Sequence, residues 1–484
     1  MMRRMASPTV ACDRQPDFTR FAMAGLPSDR SYDRAVSAAR AAFDEGRTRD
    51  PAWRSAQLAG LIRLVDGHED DIVRTLAQDL GKPRAEALTA EAWLVRAEAR
   101  DTARSFRRWS RPRPVKTPLS LFPGASRVMP EPRGVALIMG AWNYPFLLTL
   151  SPLIGALGAG CAAVVKPSEQ APATADLLEE LLPRYLDLEA VQVVQGDAEG
   201  AARLLEQRFD LILYTGGGRA GRLVMAAAAR HLTPVILELG GKSPALVHDS
   251  ADLAEAARRI AWGKSLNAGQ TCTAPDYVLV PRDRTDAFLT AYRGALARFH
   301  GGDAATSPDY GRILNRRHFE RLSAYLADGR VVIGGRADPA RLFIEPTVLI
   351  EVPVDAPVMR EEIFGPILPL IPYDSWDEAL AFVRAREKPL AAYAFGRDRD
   401  ALNRAEQDIS AGAFCGNDVI LQQTVPDLPF GGVGASGMGA YHGRAGFDAF
   451  SHAKAVLRRP ARFDSGLRFP PHSEGKLHRL RSFF

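Results

Sequence analysis

Cysteine is scarce in this chain, with four among 484 residues. Cys12, Cys161, Cys272 and Cys415 lie far apart, so neither a disulfide framework nor a thiolate metal site is expected, and a reducing cytoplasm fits best. Charge of one sign is also in short supply, because the formal net charge is only +5. Much of the basic excess is spread over Arg458, Arg459, Arg462, Arg468, Lys476, Arg479 and Arg481, too diffusely for a nucleic-acid face. Met1-Met2-Arg3-Arg4-Met5 is basic, but no sustained apolar segment follows it, so no signal peptide is expected. One uncharged stretch, 134–165, is long enough to span a bilayer. Asn143, two prolines and five glycines interrupt it; strand, loop, helix and second strand are expected there, and no membrane span. The sequence also lacks internal repeats and low-complexity segments.

What is present is the balance of a globular protein, 46% apolar and 25% charged, in a chain too long for one core; two or three domains are expected. After a variable N-terminal extension, helical periodicity runs over 31–42, 52–65, 69–79 and 85–109. The prolines of Arg111-Pro-Arg-Pro-Val-Lys-Thr-Pro end the last helix and predict an extended linker or an edge hairpin. Strands at 135–139, 162–165, 191–194, 211–214 and 235–237 then alternate with helices at 148–157, 174–185, 200–207 and 219–229. That alternation predicts an α/β fold with a parallel, doubly wound sheet. A second alternating block follows Gly241. It holds a helix over 253–265, capped by Ser250 or Asp249, and strands at 277–280, 331–333, 367–372, 391–395 and 413–415.

Two stretches organise the chemistry. Leu237-Glu238-Leu239-Gly240-Gly241-Lys242-Ser243-Pro244 places a carboxylate where an apolar strand gives way to glycines. Asn267-Ala268-Gly269-Gln270-Thr271-Cys272 places a thiol, expected to be exposed, after a polar loop. Taken alone, a single cysteine is more often a small core residue, and a glutamate after a strand is usually a solvated loop charge. With Glu238 and Cys272 separated by 34 positions, the two stretches together resemble the double signature of the aldehyde dehydrogenase superfamily. The resemblance runs over residues 31–459.

The resemblance implies a division of labour. Cys272 is the nucleophile and Glu238 the base. Asn143, in Ala141-Trp142-Asn143-Tyr144-Pro145-Phe146, donates to the oxyanion beside the Cys272 backbone N–H. Gly216-Gly217-Gly218-Arg219-Ala220-Gly221 fits G-x-G-x-x-G after a strand, which by itself would make Glu238 a ribose ligand. Within the family pattern, Gly216, Gly217 and Gly221 belong to the dinucleotide loop, with Gly217 where many members carry serine, and Leu239 lies beside them. Lys166-Pro167-Ser168-Glu169 resembles the ribose-binding motif. Its Lys166, Ser168 and Glu169 imply NAD, with NADP possible, because a carboxylate there repels a 2′-phosphate. In Glu362-Ile363-Phe364-Gly365-Pro366, Glu362 would meet the nicotinamide-side ribose and Phe364 would pack near that ring.

These roles imply a sequence of thiohemiacetal, hydride loss, thioester and hydrolysis to a carboxylic acid. His231-Leu-Thr-Pro, Ala274-Pro-Asp-Tyr, Tyr310-Gly-Arg-Ile and the run Leu428 to His442 point to the class 3 branch, which takes medium-chain, fatty and aromatic aldehydes. Tyr144, Trp262, Phe430 and His442 would then border the substrate entrance. The family's aldehyde dehydrogenase-like fold implies a Rossmann-type cofactor domain (29–113 and 129–239) after a 1–28 extension, and an α/β catalytic domain (240–430). A small β oligomerisation element and tail (114–128 and 431–484) completes it, in a homodimer. Alternatives are a coniferyl-type lignin aldehyde dehydrogenase, an acylating enzyme, which retention of Glu238 disfavours, and a non-catalytic protein on the same fold.

Overall fold

Short apolar segments build a first sheet whose two faces are both covered by helices, which is why its strands read as continuous hydrophobic runs. Val135–Met139, Ala162–Lys166, Val191–Val193, Leu211–Thr215 and Val235–Glu238 run parallel, and an antiparallel Gly437–Met438 lies along Val235–Glu238 as a sixth strand. Val135, Leu137 and Met139 pack to one face. Ala136 and Ile138 pack to the other, against Leu153, Leu157 and Phe106, the alternation that a pleated strand imposes. The structure, a computed structural model, describes residues 29–462 and 464–481; the expected 1–28 extension and Cys12 lie outside the described residues.

Val135–Met139 is central. The chain adds Ala162–Lys166 and Val191–Val193 on one side, then crosses back to add Leu211–Thr215 and Val235–Glu238 on the other. The reversal opens a crevice at the carboxyl ends of the strands, where open α/β sheets bind ligands. A seven-stranded sheet faces this edge with the amino ends of several strands. Its order is Arg330–Ile333, Thr347–Ile350, Ile367–Tyr373, Tyr277–Pro281, Pro244–Val247, Ala391–Phe395 and Ala413–Gly416, parallel except for the first. The stretch 134–165 forms a strand, a loop, the helix Leu147–Ala159 and a second strand, and no helix among the described residues is long and apolar enough to cross a membrane.

Arg113–Val115 and Ser451–Arg458 both pair antiparallel with Ala125–Pro132, so the proline-rich segment forms an edge hairpin in a three-stranded sheet. Several differences from the sequence reading have local causes. The expected helix over 85–109 is broken by a π turn at Leu88–Ala92, which leaves Leu88, Glu91 and Ala92 all buried. The helix Leu253–Ser265 is capped by Asp252, which accepts from the N–H groups of Ala254 and Glu255. Ser250 is engaged elsewhere, since its Oγ accepts from the backbone of Arg397 and Asp398. Pro244–Val247 and Thr347–Ile350 are short strands buried between neighbours, and their length gave no periodic signal.

Leu137 is fully buried at the centre of the first sheet. Leu137→Ala is expected to cost about 2–5 kcal/mol. Urea unfolding of the variant should show a lowered midpoint, and an unchanged midpoint would contradict this placement.

Candidate active site

Asn143 follows the central strand and is held through both its side chain and its backbone carbonyl. Its Nδ2 donates to the Gln270 carbonyl at 3.2 Å, and its own carbonyl accepts from Asn267 Nδ2 at 2.8 Å. Lys82 Nζ donates to the same carbonyl at 3.0 Å, pairs with Glu91, and lies 4.1 Å from the centroid of the Tyr144 ring. Tyr144 Oη and Thr271 Oγ1 are 2.6 Å apart, a second tie between the loops.

The turn before Cys272 is unusual in its backbone. Asn267, Ala268 and Gly269 are consecutively left-handed, with φ of 51°, 52° and 73°. A Cβ at Gly269 would strike the Gly365 carbonyl, so only glycine fits there. The non-glycine pair stores strain that its surroundings must hold. Glu86, whose carboxyl burial pushes up to about 7, accepts the Asn267 N–H at 2.9 Å. Gln270 Nε2 donates to the Asn267 and Arg312 carbonyls, and its Oε1 accepts the Leu314 N–H. Cys272 itself is half-buried against the first core rather than exposed as expected, because the loop folds back under the Asn143 segment.

Glu238 ends its strand 2% exposed, with neither carboxylate oxygen hydrogen-bonded. Burial alone holds its carboxyl well above the usual carboxylate range. The Cys272 thiol is likewise pushed up, first by burial and then by the nearby Glu362 and Glu238 carboxylates. Burial also raises Glu362, to about 8, with Asp276 adding repulsion. Tyr441 is buried with its hydroxyl unpartnered and feels Glu238, Glu98 and Cys272.

The remaining candidates line two sides. Lys166 is buried at a strand end and pairs with the half-exposed Glu169 at 3.0 Å, while Ser168 Oγ accepts the Gln170 N–H. Gly216 N–H donates to the Glu238 carbonyl at 2.9 Å, which joins the glycine loop to the strand that ends in Glu238. Gly217 precedes the helix Gly218–Ala229 with open space where a Cβ would be. Gly221 lets that helix rest on the Leu239 side chain, whose N–H donates to the Ser436 carbonyl. Lys242, paired with Asp276, donates to the carbonyls of Val358 and Glu361, and Asp276 accepts the Ile363 N–H at 3.0 Å, so this pair holds the Glu362 segment. Phe364 sits 5.1 Å from the Trp142 ring. Phe430 stacks on His442 at 5.2 Å, and Tyr441 packs edge-on to both. Trp262 stands apart, 36% exposed on its helix and paired with none of these rings.

A profile of the "Aldehyde dehydrogenase family" matches residues 19–456. The chain belongs to the aldehyde dehydrogenase family. Its curated relatives include "Aldehyde dehydrogenase family 3 member H1" of Arabidopsis thaliana, 46% identical over 452 residues and covering 92% of this chain and 93% of that protein. "Aldehyde dehydrogenase family 3 member A2" of Rattus norvegicus is 46% identical, with 92% of each chain covered. A solved structure described as the substrate-bound state of Staphylococcus aureus AldH superposes with a TM-score of 0.91 at 40% identity, over 93% of this chain and 99% of that one. The protein is thus an NAD(P)-dependent aldehyde dehydrogenase on an α/β aldehyde dehydrogenase fold, as its sequence motifs implied.

The dehydrogenase's own residues fit a dinucleotide. Open space at Gly217 lets phosphate approach the helix start, whose N–H groups no side chain caps. Thr215 Oγ1 and Glu362 Oε1 are buried without partners and suit ribose or amide groups. The sequence reading missed Lys82, Glu86, Glu91, Gln270, Tyr441 and the Lys242–Asp276 pair. One signal was available: Glu91 lies on the same helical stripe as Leu88, Val95 and Ala99, where an acid needs a buried partner.

With burial and two carboxylates opposing ionisation, Cys272 should alkylate slowly at neutral pH. Its rate with iodoacetamide is expected to climb continuously from pH 7 to 10, as the thiolate forms. A rate already level at or below the ordinary cysteine value of about 8.5 would contradict the arrangement.

Proposed function

We propose that this dehydrogenase oxidises medium- or long-chain or aromatic aldehydes to carboxylic acids through a thiohemiacetal and a thioester on Cys272. The observation that carries the reading is the pairing of a half-buried thiol with Glu238, a buried carboxylate whose two oxygens have no partner. Cys272 loses its thiol proton, and the thiolate attacks the carbonyl carbon. Asn143 Nδ2 and the Cys272 N–H meet the oxygen that gains charge. Oxidised nicotinamide, which Glu362 and Phe364 would hold, would supply the acceptor for the hydride that the thiohemiacetal carbon must lose. Glu238 then takes a proton from water, and the hydroxide displaces sulfur from the thioester carbon. A carboxyl raised by burial is the stronger base once ionised, which suits that step.

Lys166, Ser168 and Glu169 support adenosine-ribose binding, with Glu169 favouring NAD over NADP. Gly216, Gly217, Gly221 and Leu239 support the phosphate side, and Glu362 and Phe364 the nicotinamide side. The Phe430–Tyr441–His442 rings and Tyr144 support an aromatic-lined entrance suited to apolar aldehydes, while Trp262, apart from these rings, adds no support to it. The cofactor and catalytic domains divide near residue 240. The three-stranded sheet joins two subunits into a cytoplasmic homodimer, since Val115, Leu119, Phe122 and Leu457 expose apolar surface on and beside it.

Turnover of octanal, benzaldehyde and coniferaldehyde with NAD and with NADP tests the reading. Cys272→Ser should abolish nicotinamide reduction, and Glu238→Gln should lower kcat about 10²–10⁴-fold, the usual worth of a general base. Cys272→Ser as fast as the parent would refute the mechanism, and coniferaldehyde as the preferred substrate would move it to the lignin-type branch. Light scattering after gel filtration should give a dimer for the parent and a shift toward monomer for Leu457→Lys. A monomeric parent would refute the interface.

A further inference from the structure

Three charged side chains on the segment from Lys82 to Glu91 face inward rather than to water, and all of them grip the loops of the candidate site. Lys82 and Glu91 are fully buried, and they pair with each other. Lys82 also donates to the Asn143 carbonyl at 3.0 Å and lies over the Tyr144 ring. Glu91 Oε2 accepts the backbone N–H groups of Phe146 at 2.9 Å and Leu147 at 3.1 Å. Those are N–H groups at the start of the helix Leu147–Ala159, which has no side-chain cap of its own. Glu86 Oε2 accepts the Asn267 N–H at the head of the left-handed turn.

A buried ion pair is a poor source of stability compared with apolar packing of the same volume. Its retention here calls for another task, and its contacts name one. From a single buried point the pair fixes residue 143 through its carbonyl and residues 146 and 147 through their amides. It therefore sets where the Asn143 amide lies relative to Cys272. We propose that Lys82 and Glu91 are positioning residues for the aldehyde oxidation, acting through the Asn143 loop to hold the oxyanion donor in place. This rests on the reading of Asn143 given above. Neither side chain touches substrate. Their effect is carried by hydrogen bonds to the backbone, where a displacement of about 1 Å costs on the order of 10²-fold in rate.

The test uses the full-length protein with benzaldehyde and NAD. Lys82→Met and Glu91→Gln are combined so that no unpaired charge is left buried, and Glu91→Asp is made separately. That second variant keeps the charge but withdraws the carboxylate from the Phe146 and Leu147 amides by one methylene. Thermal melts check folding, and iodoacetamide labelling of Cys272 reads the thiol independently of Asn143. Both variants are expected to lose about 10-fold or more in kcat, with KM and labelling rate within about twofold of the parent. Asn143→Ala should lose about 10²–10³-fold in the parent, but only about 10–10²-fold in the paired variant, since both changes remove one contribution. A folded paired variant, or a folded Glu91→Asp, with parental kcat would overturn the proposal. So would losses that multiply fully with Asn143→Ala. Parental kcat in Asn143→Ala itself would overturn the oxyanion reading as well, whereas loss there with none in the pair variants would overturn the pair alone.

Discussion

The constraint on which the site depends is the contact between two loops from different sheets. One is the segment after Val135–Met139 that carries Asn143, and the other is the left-handed turn that carries Cys272. Asn143 and Asn267 exchange amide hydrogen bonds through the carbonyls of Gln270 and Asn143, and Tyr144 meets Thr271 beside them. Buried in this contact, each loop's polar groups would cost about an unmade hydrogen bond apiece if they were left unpaired. Facing each other, the loops satisfy one another, and the amide and the thiol come to the same crevice.

That closeness sets the electrostatics. Glu238, Glu362 and the Cys272 thiol share a region where burial opposes every negative charge and each disfavours the ionisation of its neighbours. The resting site therefore favours neutral side chains. Positive charge is kept just outside it: Lys242 and Lys264 stand by Asp276, Lys82 by Glu91, and Lys166 by Glu169. Lys264 is itself buried without a hydrogen-bond partner, and burial lowers it to about 8. The arrangement separates these paired cations from a region in which burial opposes ionisation of Glu238, Glu362 and Cys272.

Much of this was legible in one dimension. The strands Val135–Met139 and Ala162–Lys166 announce themselves because they are buried on both faces, so nearly every residue is apolar. The motif around Glu238 could be placed because it lies 34 positions before Cys272, and the two stretches together resemble the family's double signature. What stayed hidden had no local signature. The π turn at Leu88–Ala92 carries Glu91 inward to a partner, Lys82, that arrives from a preceding loop. Asp252 rather than Ser250 caps its helix because Ser250 is already bound to the backbone near residue 397.

The sequence by itself determined the periodicities, the order of strands and helices along the chain, and the candidate thiol, acid and amide at 272, 238 and 143. These are properties of single residues and their immediate neighbours, and the chain carries them wherever it folds. Only the tertiary structure decided the environments. The same cysteine that a polar loop suggests is exposed becomes half-buried once the Asn143 segment covers it, and a glutamate at a strand end becomes a raised, unpartnered acid. Ionisation depends on how much water and which charges lie within a few ångströms, and those neighbours come from residues scores of positions away.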